Sequence, residues 1–309
     1  MVLQDNCGRP LLNLRVAITK HCNLRCQYCH MEGEERFNGI PSREMTVEEI
    51  VRITRIAVGL GIPKIKLTGG EPLVRNDIVE IISGIASTRG LADISMTTNG
   101  TLLAPLAEKL RTRGLKRVNI SLPTLNAELY SKLTGGRVED VLKGVDAAVK
   151  AGFNPVKLNV LILKCIGNYD FSEMVNYAKK TGTILQLIEL EPINISDEYY
   201  SANHKALDEY ENMLKQEALR VETRQFMQNR HIYYLPDVKV EVIRPTENAE
   251  FCRHCTRLRV TSNGKLKACL MRNDNLVDIL TPIRNGADDP ELVELFKTAN
   301  QNRQPYNQT

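Results

Sequence analysis

Between Leu14 and Leu190, short β-rich runs alternate with stretches whose apolar residues recur every three or four positions. The runs Leu14–Thr19, Lys64–Thr68, Asp93–Thr97, Arg117–Leu122, Val156–Leu163 and Ile184–Leu190 read as strands. Helices are expected over Val47–Gly59, Asp77–Ser87, Leu103–Arg113, Val138–Ala151 and Phe171–Lys180. The first has the clearest signature. Thr46 can cap its N-terminus while Glu49 reaches back, and Ile50, Ile53, Ala57 and Leu60 follow at helical spacing. Six strands alternating with helices predict an α/β fold on a parallel sheet, closed or partly closed.

After Glu191-Pro192 the alternation ends. A helical run near Ala206–Ala218 precedes strands at Val221–Met227, Ile232–Leu235 and Val238–Ile243. Arg257–Ser262 and Lys265–Leu270 then flank Asn263-Gly264, the signal for a two-residue type I′ hairpin. A helix is expected around Glu291–Ala299. The pattern divides the chain into a barrel, residues 1–220, and a smaller C-terminal module, residues 221–309.

The 309 residues allow one large domain or two ordinary ones, and 42% apolar with 25% charged residues is the usage of a soluble globular protein. No apolar run approaches the roughly 18–20 residues of a membrane span, and the N-terminus lacks a basic-then-apolar leader. A cytoplasmic protein without membrane partners is therefore expected. The net charge of +4 is too mild to argue for nucleic acid, yet suits an anionic small ligand. The eight cysteines are more telling, because six fall into two groups of three. In a reducing compartment clustered thiols point to metal or redox chemistry. Cys7 and Cys165 stand apart and read as ordinary small apolar residues.

The first group, Cys22, Cys26 and Cys29, follows the first strand directly. Three thiolates do not complete a closed four-sulfur zinc site, whereas a four-iron cluster on three cysteines keeps one iron open. A zinc site completed by His21 or His30 is the alternative. Thr68-Gly69-Gly70-Glu71-Pro72 ends the second strand. Paired glycines at that end let backbone approach a ligand closely, where parallel α/β folds bind ligands.

Near the C-terminus stand Cys252, Cys255 and Cys269. With a two-residue turn, Ser262 would pair with Lys265, Arg259 with Ala268 and Leu258 with Cys269, bringing the three thiols toward one centre. A second three-cysteine cluster is one reading; a zinc ribbon completed by His231 or His254 is the other. Arg257 and Arg259, two apart on a strand, share a face beside that centre and suit a phosphate chain.

The cysteine triplet joined to the Gly-Gly motif resembles the radical S-adenosylmethionine superfamily. The whole pattern resembles its GTP 3′,8-cyclases (the MoaA family), lyases that begin molybdenum-cofactor biosynthesis. The likeness runs from Asp5 to about Arg272. It rests on Asn13-Leu14-Arg15, both triplets, Lys66 to Pro72, Thr97-Thr98-Asn99-Gly100, Asn119-Ile120-Ser121 and Cys252 to Arg259. The resemblance implies an incomplete (β/α)6 TIM-like radical SAM barrel with a smaller C-terminal Fe–S module. It also implies two [4Fe–4S] clusters, one on Cys22, Cys26 and Cys29 and one on Cys252, Cys255 and Cys269. S-adenosylmethionine would meet Tyr28, Gly70 and Ser121. GTP would meet Arg15, Lys66, Thr97, Lys157, Arg257, Leu258 and Arg259. A reductant or electron-donor protein, and the next enzyme of the pathway, are the implied partners.

Singly, Lys66 and Lys157 would read as snorkelling lysines, Ser121 as a hydroxyl turned to solvent, and the two arginines as surface residues. The chain departs from the family at two places. Glu191 stands where members often carry methionine, and the tail Pro305-Tyr306-Asn307-Gln308-Thr309 lacks the frequent Gly-Gly ending. A radical maturase acting on a peptide and a zinc-stabilised binding protein are the rival readings.

Overall fold

The computed structural model describes residues 2–34 and 44–307. Its strands are β1 (Asn13–Ala17), β2 (Lys64–Thr68), β3 (Asp93–Thr98), β4 (Arg117–Ser121), β5 (Val156–Ile162), β6 (Ile184–Glu189), β7 (Arg220–Arg224), β8 (Arg230–Leu235), β9 (Val238–Ile243), β10 (Arg257–Val260), β11 (Lys265–Lys267) and β12 (Val277–Asp278). They form one sheet in the order β12-β11-β10-β1-β2-β3-β4-β5-β6-β9-β8-β7. The eight central neighbours, β10 through β9, are all parallel. Among the described residues the outermost strands do not pair, so the barrel stays open, as an incomplete barrel should.

The segment after residue 220 extends this sheet at both ends. β9, with β8 and β7, continues beyond β6, whereas β10, with β11 and β12, joins the outer side of β1. The C-terminal strands thus widen the barrel wall and bring their own side chains to its interior.

Alternation along the strands explains the layering. Leu14, Val16, Ile65, Leu67, Ile94, Met96, Val118 and Ile120 are buried in the hydrophobic core. Their alternate neighbours are polar and turn to the opposite, inner face. A TIM barrel ordinarily fills its interior with branched apolar side chains. Here the interior is charged and hydrogen-bonded, which suits a ligand chamber.

The helix Val47–Gly59 forms with the expected bounds. Thr46 Oγ1 accepts from Glu49 N at 3.3 Å, while Glu49 Oε2 accepts from Thr46 N at 2.8 Å. The helix expected from Leu103 begins only at Ala107, after a run of turns.

The hairpin is offset by one residue from its expectation. Arg259 pairs with Lys267 and Val260 with Leu266, and Thr261 N donates to Lys265 O at 2.9 Å. The loop is therefore Ser262-Asn263-Gly264, with Gly264 left-handed at φ +72°. Thr261 decides this geometry, because its hydroxyl donates to Asn263 Oδ1 at 2.7 Å and accepts from Lys265 N at 2.9 Å. A three-residue loop ending in left-handed glycine is the next commonest hairpin. Cys269 consequently falls level with Arg257 and not with Leu258. Cys7 and Cys165 are exposed, contrary to the apolar reading.

Candidate active site

A cavity of about 370 Å³ occupies the barrel interior, within the range of small-molecule sites. Every residue expected in the site lines it except Leu258, which is fully buried in the hydrophobic core. Strand alternation explains the exception, since Arg257 and Arg259 share the inner face and Leu258 turns to the other.

The first triplet sits at the C-terminal end of β1. Its loop is held by backbone, as Arg25 N donates to Thr134 O at 2.9 Å and Gln27 N to Leu133 O at 3.1 Å. Asn99 Nδ2 donates to Asn23 Oδ1 at 2.8 Å and approaches Cys22 Sγ at 3.8 Å. Glu71 supports Asn99 in turn, accepting its N–H at 2.6 Å and the Thr98 hydroxyl at 2.7 Å. Burial, then the neighbouring Cys29, pushes the Cys26 thiol up to about 12. Burial, then Cys26, holds the Tyr28 hydroxyl well above its ordinary value. A metal that draws the proton off each thiol relieves this crowding.

Gly69 and Gly70 serve the protein before any ligand. A Cβ on Gly69 would lie 2.3 Å from Thr19 O, and one on Gly70 would lie 2.2 Å from His21 O. Their small size lets the end of β2 close on backbone 19–21, where Gly70 N donates to Thr19 O and Glu71 N to His21 O, both at 2.8 Å. Gly70→Ala is thus expected to cost about 1–3 kcal/mol of overpacking. A denaturant midpoint matching wild type, with unchanged iron content, would contradict that role.

The second triplet lies at the other end of the strands. Cys255 stands two residues before β10, which runs parallel to β1, and Cys269 follows the returning β11. Arg9 Nη1 donates to Cys252 O at 2.7 Å and Arg303 Nη2 to Cys255 O at 2.5 Å. Burial raises the Cys255 thiol, but Arg303, Arg257 and Arg9 outweigh it and bring the thiol below its usual value. The tail also arrives here. Gln304, Tyr306 and Asn307 line the cavity, and Asn307 N approaches Cys252 Sγ at 3.4 Å. Gln308 and Thr309 lie outside the described residues.

The donor sets fit open clusters better than zinc. Among the described residues no three His, Cys, Asp or Glu side chains close around a single metal ion, as a tetrahedral zinc site requires. His21, His231 and His254 do not line the cavity, and His30 Nδ1 accepts from Glu32 N at 3.0 Å. Each end thus presents three thiols to the cavity, the set that leaves one iron of a four-iron cluster open.

Cations fill the space between. Arg259, Arg15, Lys66, Ser95 and Arg117 follow one another across β10, β1, β2, β3 and β4. Thr97, Asn119 and Lys157 form the next row. Three carboxylates offset part of this charge. Asp93 accepts from Arg117 Nε at 2.9 Å, and Glu32 meets Arg15 and Arg259. Glu241, fully buried, meets Lys157 Nζ at 2.5 Å, Arg224 Nη1 at 3.1 Å and Arg230 Nη1 at 3.8 Å. Burial favours its neutral acid, but Lys157, Arg230 and Arg224 prevail and hold the carboxyl far below the usual range.

Lys66 and Arg257 have no carboxylate partner among the described residues. Lys66 Nζ donates to Asn119 Oδ1 at 2.9 Å. Burial, then Arg15, Arg117, Lys157 and Arg257, depresses its ammonium well below the ordinary value. Burial, then Arg230 and Arg15, likewise disfavours the Arg257 cation. A guanidinium stays protonated in proteins, so this crowding amounts to repulsion that an anionic ligand relieves.

Glu32, Asp93, Arg117, Arg224, Arg230, Glu241 and Arg303 were not anticipated from the sequence. Glu241 carried one signal, an acid alternating with valines in the run Val238–Ile243. Glu32 and Arg303 carried none, since they sit in irregular segments.

A family model described as the radical SAM superfamily matches residues 16–178, and another, Molybdenum Cofactor Synthesis C, matches residues 183–309. The "Probable GTP 3′,8-cyclase" of Thermococcus kodakarensis is 47% identical over 316 residues, covering 99% of each chain. The protein of that name from Methanocaldococcus jannaschii is 45% identical over 306 residues, covering 98% of this chain and 99% of its own. Among solved structures, Streptococcus suis SuiB bound to precursor peptide SuiA matches 96% of this chain and 67% of its own, with TM-score 0.65 and 19% identity. Native anSMEcpe with bound AdoMet matches 94% of this chain and 82% of its own, with TM-score 0.58 and 14% identity. At such identities these two show the shared fold alone. With both halves of its length matched by family models and nearly all of it by the curated relatives, the chain belongs to the radical S-adenosylmethionine superfamily and, within it, to the GTP 3′,8-cyclases.

Proposed function

We propose that this chain converts GTP to (8S)-3′,8-cyclo-7,8-dihydroguanosine 5′-triphosphate, the first step of molybdenum-cofactor biosynthesis. The observation that carries the reading is the pair of three-thiol ends separated by buried, under-compensated cations in one cavity. Cys22, Cys26 and Cys29 would hold the cluster that binds S-adenosylmethionine, with Tyr28, Gly70 and Ser121 around the cofactor. Cys252, Cys255 and Cys269 would hold the second cluster, which receives the guanine base. When bound, the first cluster and S-adenosylmethionine would supply the chemistry of hydrogen abstraction from ribose C3′, the event that prepares that carbon to bond to guanine C8.

The protein's own contribution is placement. Arg15, Lys66, Thr97, Lys157, Arg257 and Arg259 would grip the nucleotide, and a buried site gives each contact more strength than water allows. Holding both reacting ends in one enclosed chamber supplies proximity and keeps water from competing. A reductant would deliver two electrons, one to cleave S-adenosylmethionine and one, with a proton, to the guanine ring after C3′ bonds to C8. The next enzyme of the pathway would take the product, and both partners would act within the cytoplasm. Among the described residues no helix is long and apolar enough to cross a membrane. The rival peptide-modifying reading gives no reason for buried cations between the thiol sets.

Anaerobic incubation of reconstituted protein with GTP, S-adenosylmethionine and a reductant should yield 5′-deoxyadenosine and a cyclised nucleotide in matched amounts by mass analysis. 5′-Deoxyadenosine without any GTP-derived product would overturn the reading.

A further inference from the structure

Arg15 and Arg259 are direct partners on the adjacent parallel strands β1 and β10, so their guanidiniums stand side by side in the chamber. Two like charges so placed repel, and long side chains can swing apart. Glu32 enters between them. Its Oε2 lies 2.6 Å from Arg259 Nη1 and 3.4 Å from Arg15 Nη1, with Oε1 at 3.5 Å from the same Arg15 nitrogen. Among the described residues, Nε and Nη2 of both arginines have no hydrogen-bond partner. Each guanidinium is therefore held by one corner and keeps its Nε–Nη2 edge, the edge that receives an oxyanion in bidentate fashion.

The turn carrying Glu32 is built to deliver it at a fixed place. Met31, Glu32 and Gly33 are all left-handed, at φ 50°, 53° and 70°, a run that persists only when its surroundings over-determine it. Asn194 Nδ2 donates to His30 O at 2.9 Å and to Glu34 O at 2.7 Å. Ser262 donates to the Glu34 carboxylate through N at 2.8 Å and Oγ at 2.5 Å. Lys267 Nζ donates to Gly33 O at 3.0 Å, and a Cβ on Gly33 would lie 2.3 Å from Leu270 O. The turn begins two residues after Cys29 and is clamped by residues flanking Cys269.

We propose that Glu32 is a positioning residue for the polyphosphate. It offsets the repulsion between Arg15 and Arg259 and orients both guanidiniums so that their free edges grip one phosphate chain. The inference rests on the nucleotide reading above. Orientation established before binding does not have to be established during it, so loss of Glu32 should lower affinity.

The test uses reconstituted protein carrying Glu32→Ala or the isosteric Glu32→Gln, with anaerobic calorimetry against GTP and S-adenosylmethionine separately. Glu32→Ala should raise the Kd for GTP about tenfold and Glu32→Gln about threefold or more. The Kd for S-adenosylmethionine should stay within about twofold, and iron content should match wild type. The ratio of cyclised nucleotide to 5′-deoxyadenosine should fall in both variants, because a misplaced ribose lets the radical expire unproductively. If the alanine variant loses iron or fails to fold, the glutamine variant decides. Unchanged or tighter GTP binding with iron intact would overturn the proposal, since a carboxylate merely filling the phosphate's place predicts tightening. Failure of the wild-type protein to bind GTP would sink the nucleotide reading and this inference with it.

Discussion

Replacing Cys22, Cys26 and Cys29 together by alanine is expected to halve the iron of the anaerobically reconstituted protein, from about eight to about four per chain. Formation of 5′-deoxyadenosine should be abolished. The loop itself should survive the change, because its shape depends on Arg25 and Gln27 bonding to the backbone at 134 and 133, and on Asn23 bonding to Asn99 and to Thr101. None of those contacts uses a thiol. The apoprotein should therefore be about as stable as wild-type apoprotein. Iron quantitation and product analysis on one preparation check both halves of the expectation. Retention of full iron would show that these cysteines are not the ligands.

Cys269→Ala is expected to separate the two steps. The second triplet sits at the opposite end of the strands from the first, so reductive cleavage of S-adenosylmethionine should continue in some measure. Cyclisation should vanish, because the radical would form with no guanine held in reach. A structural zinc at this position would give another outcome, general destabilisation of the C-terminal segment. Scaffolding around the triplet does not run through Cys269, since Arg9 and Arg303 hold the carbonyls of Cys252 and Cys255. A selective defect is therefore the reasonable expectation. Measuring 5′-deoxyadenosine and cyclised nucleotide in the same reaction distinguishes the cases, and coupled cyclisation near the wild-type rate would refute the assignment.

Much of this architecture was written locally along the chain. The helix Val47–Gly59 needs only Thr46, Glu49 and an apolar stripe, all within a few residues, and β2 and β9 formed with their expected bounds for the same reason. The two cysteine triplets and the paired glycines are likewise short-range patterns, and the order of strands and helices implied a parallel sheet. Other features depended on partners far away in sequence. That β10 joins β1, aligning Arg257 with Asn13 and Arg259 with Arg15, is a pairing across more than two hundred residues. Only this pairing puts the second triplet at the end of the barrel opposite the first.

The crowding around Gly69 and Gly70 has the same origin, because the atoms that approach them belong to backbone 19–21, just beyond the end of β1. The hairpin register turned on one hydroxyl, Thr261, which a count of turn residues does not weigh. Glu32 and Glu241 show the limit most plainly. Their chemistry comes from cations on other strands, and a carboxylate's partners are set by where the sheet brings them. Local sequence thus determined the elements and the thiol ligand candidates. Tertiary structure decided which charges meet, because electrostatic pairing depends on distance in space and not along the chain.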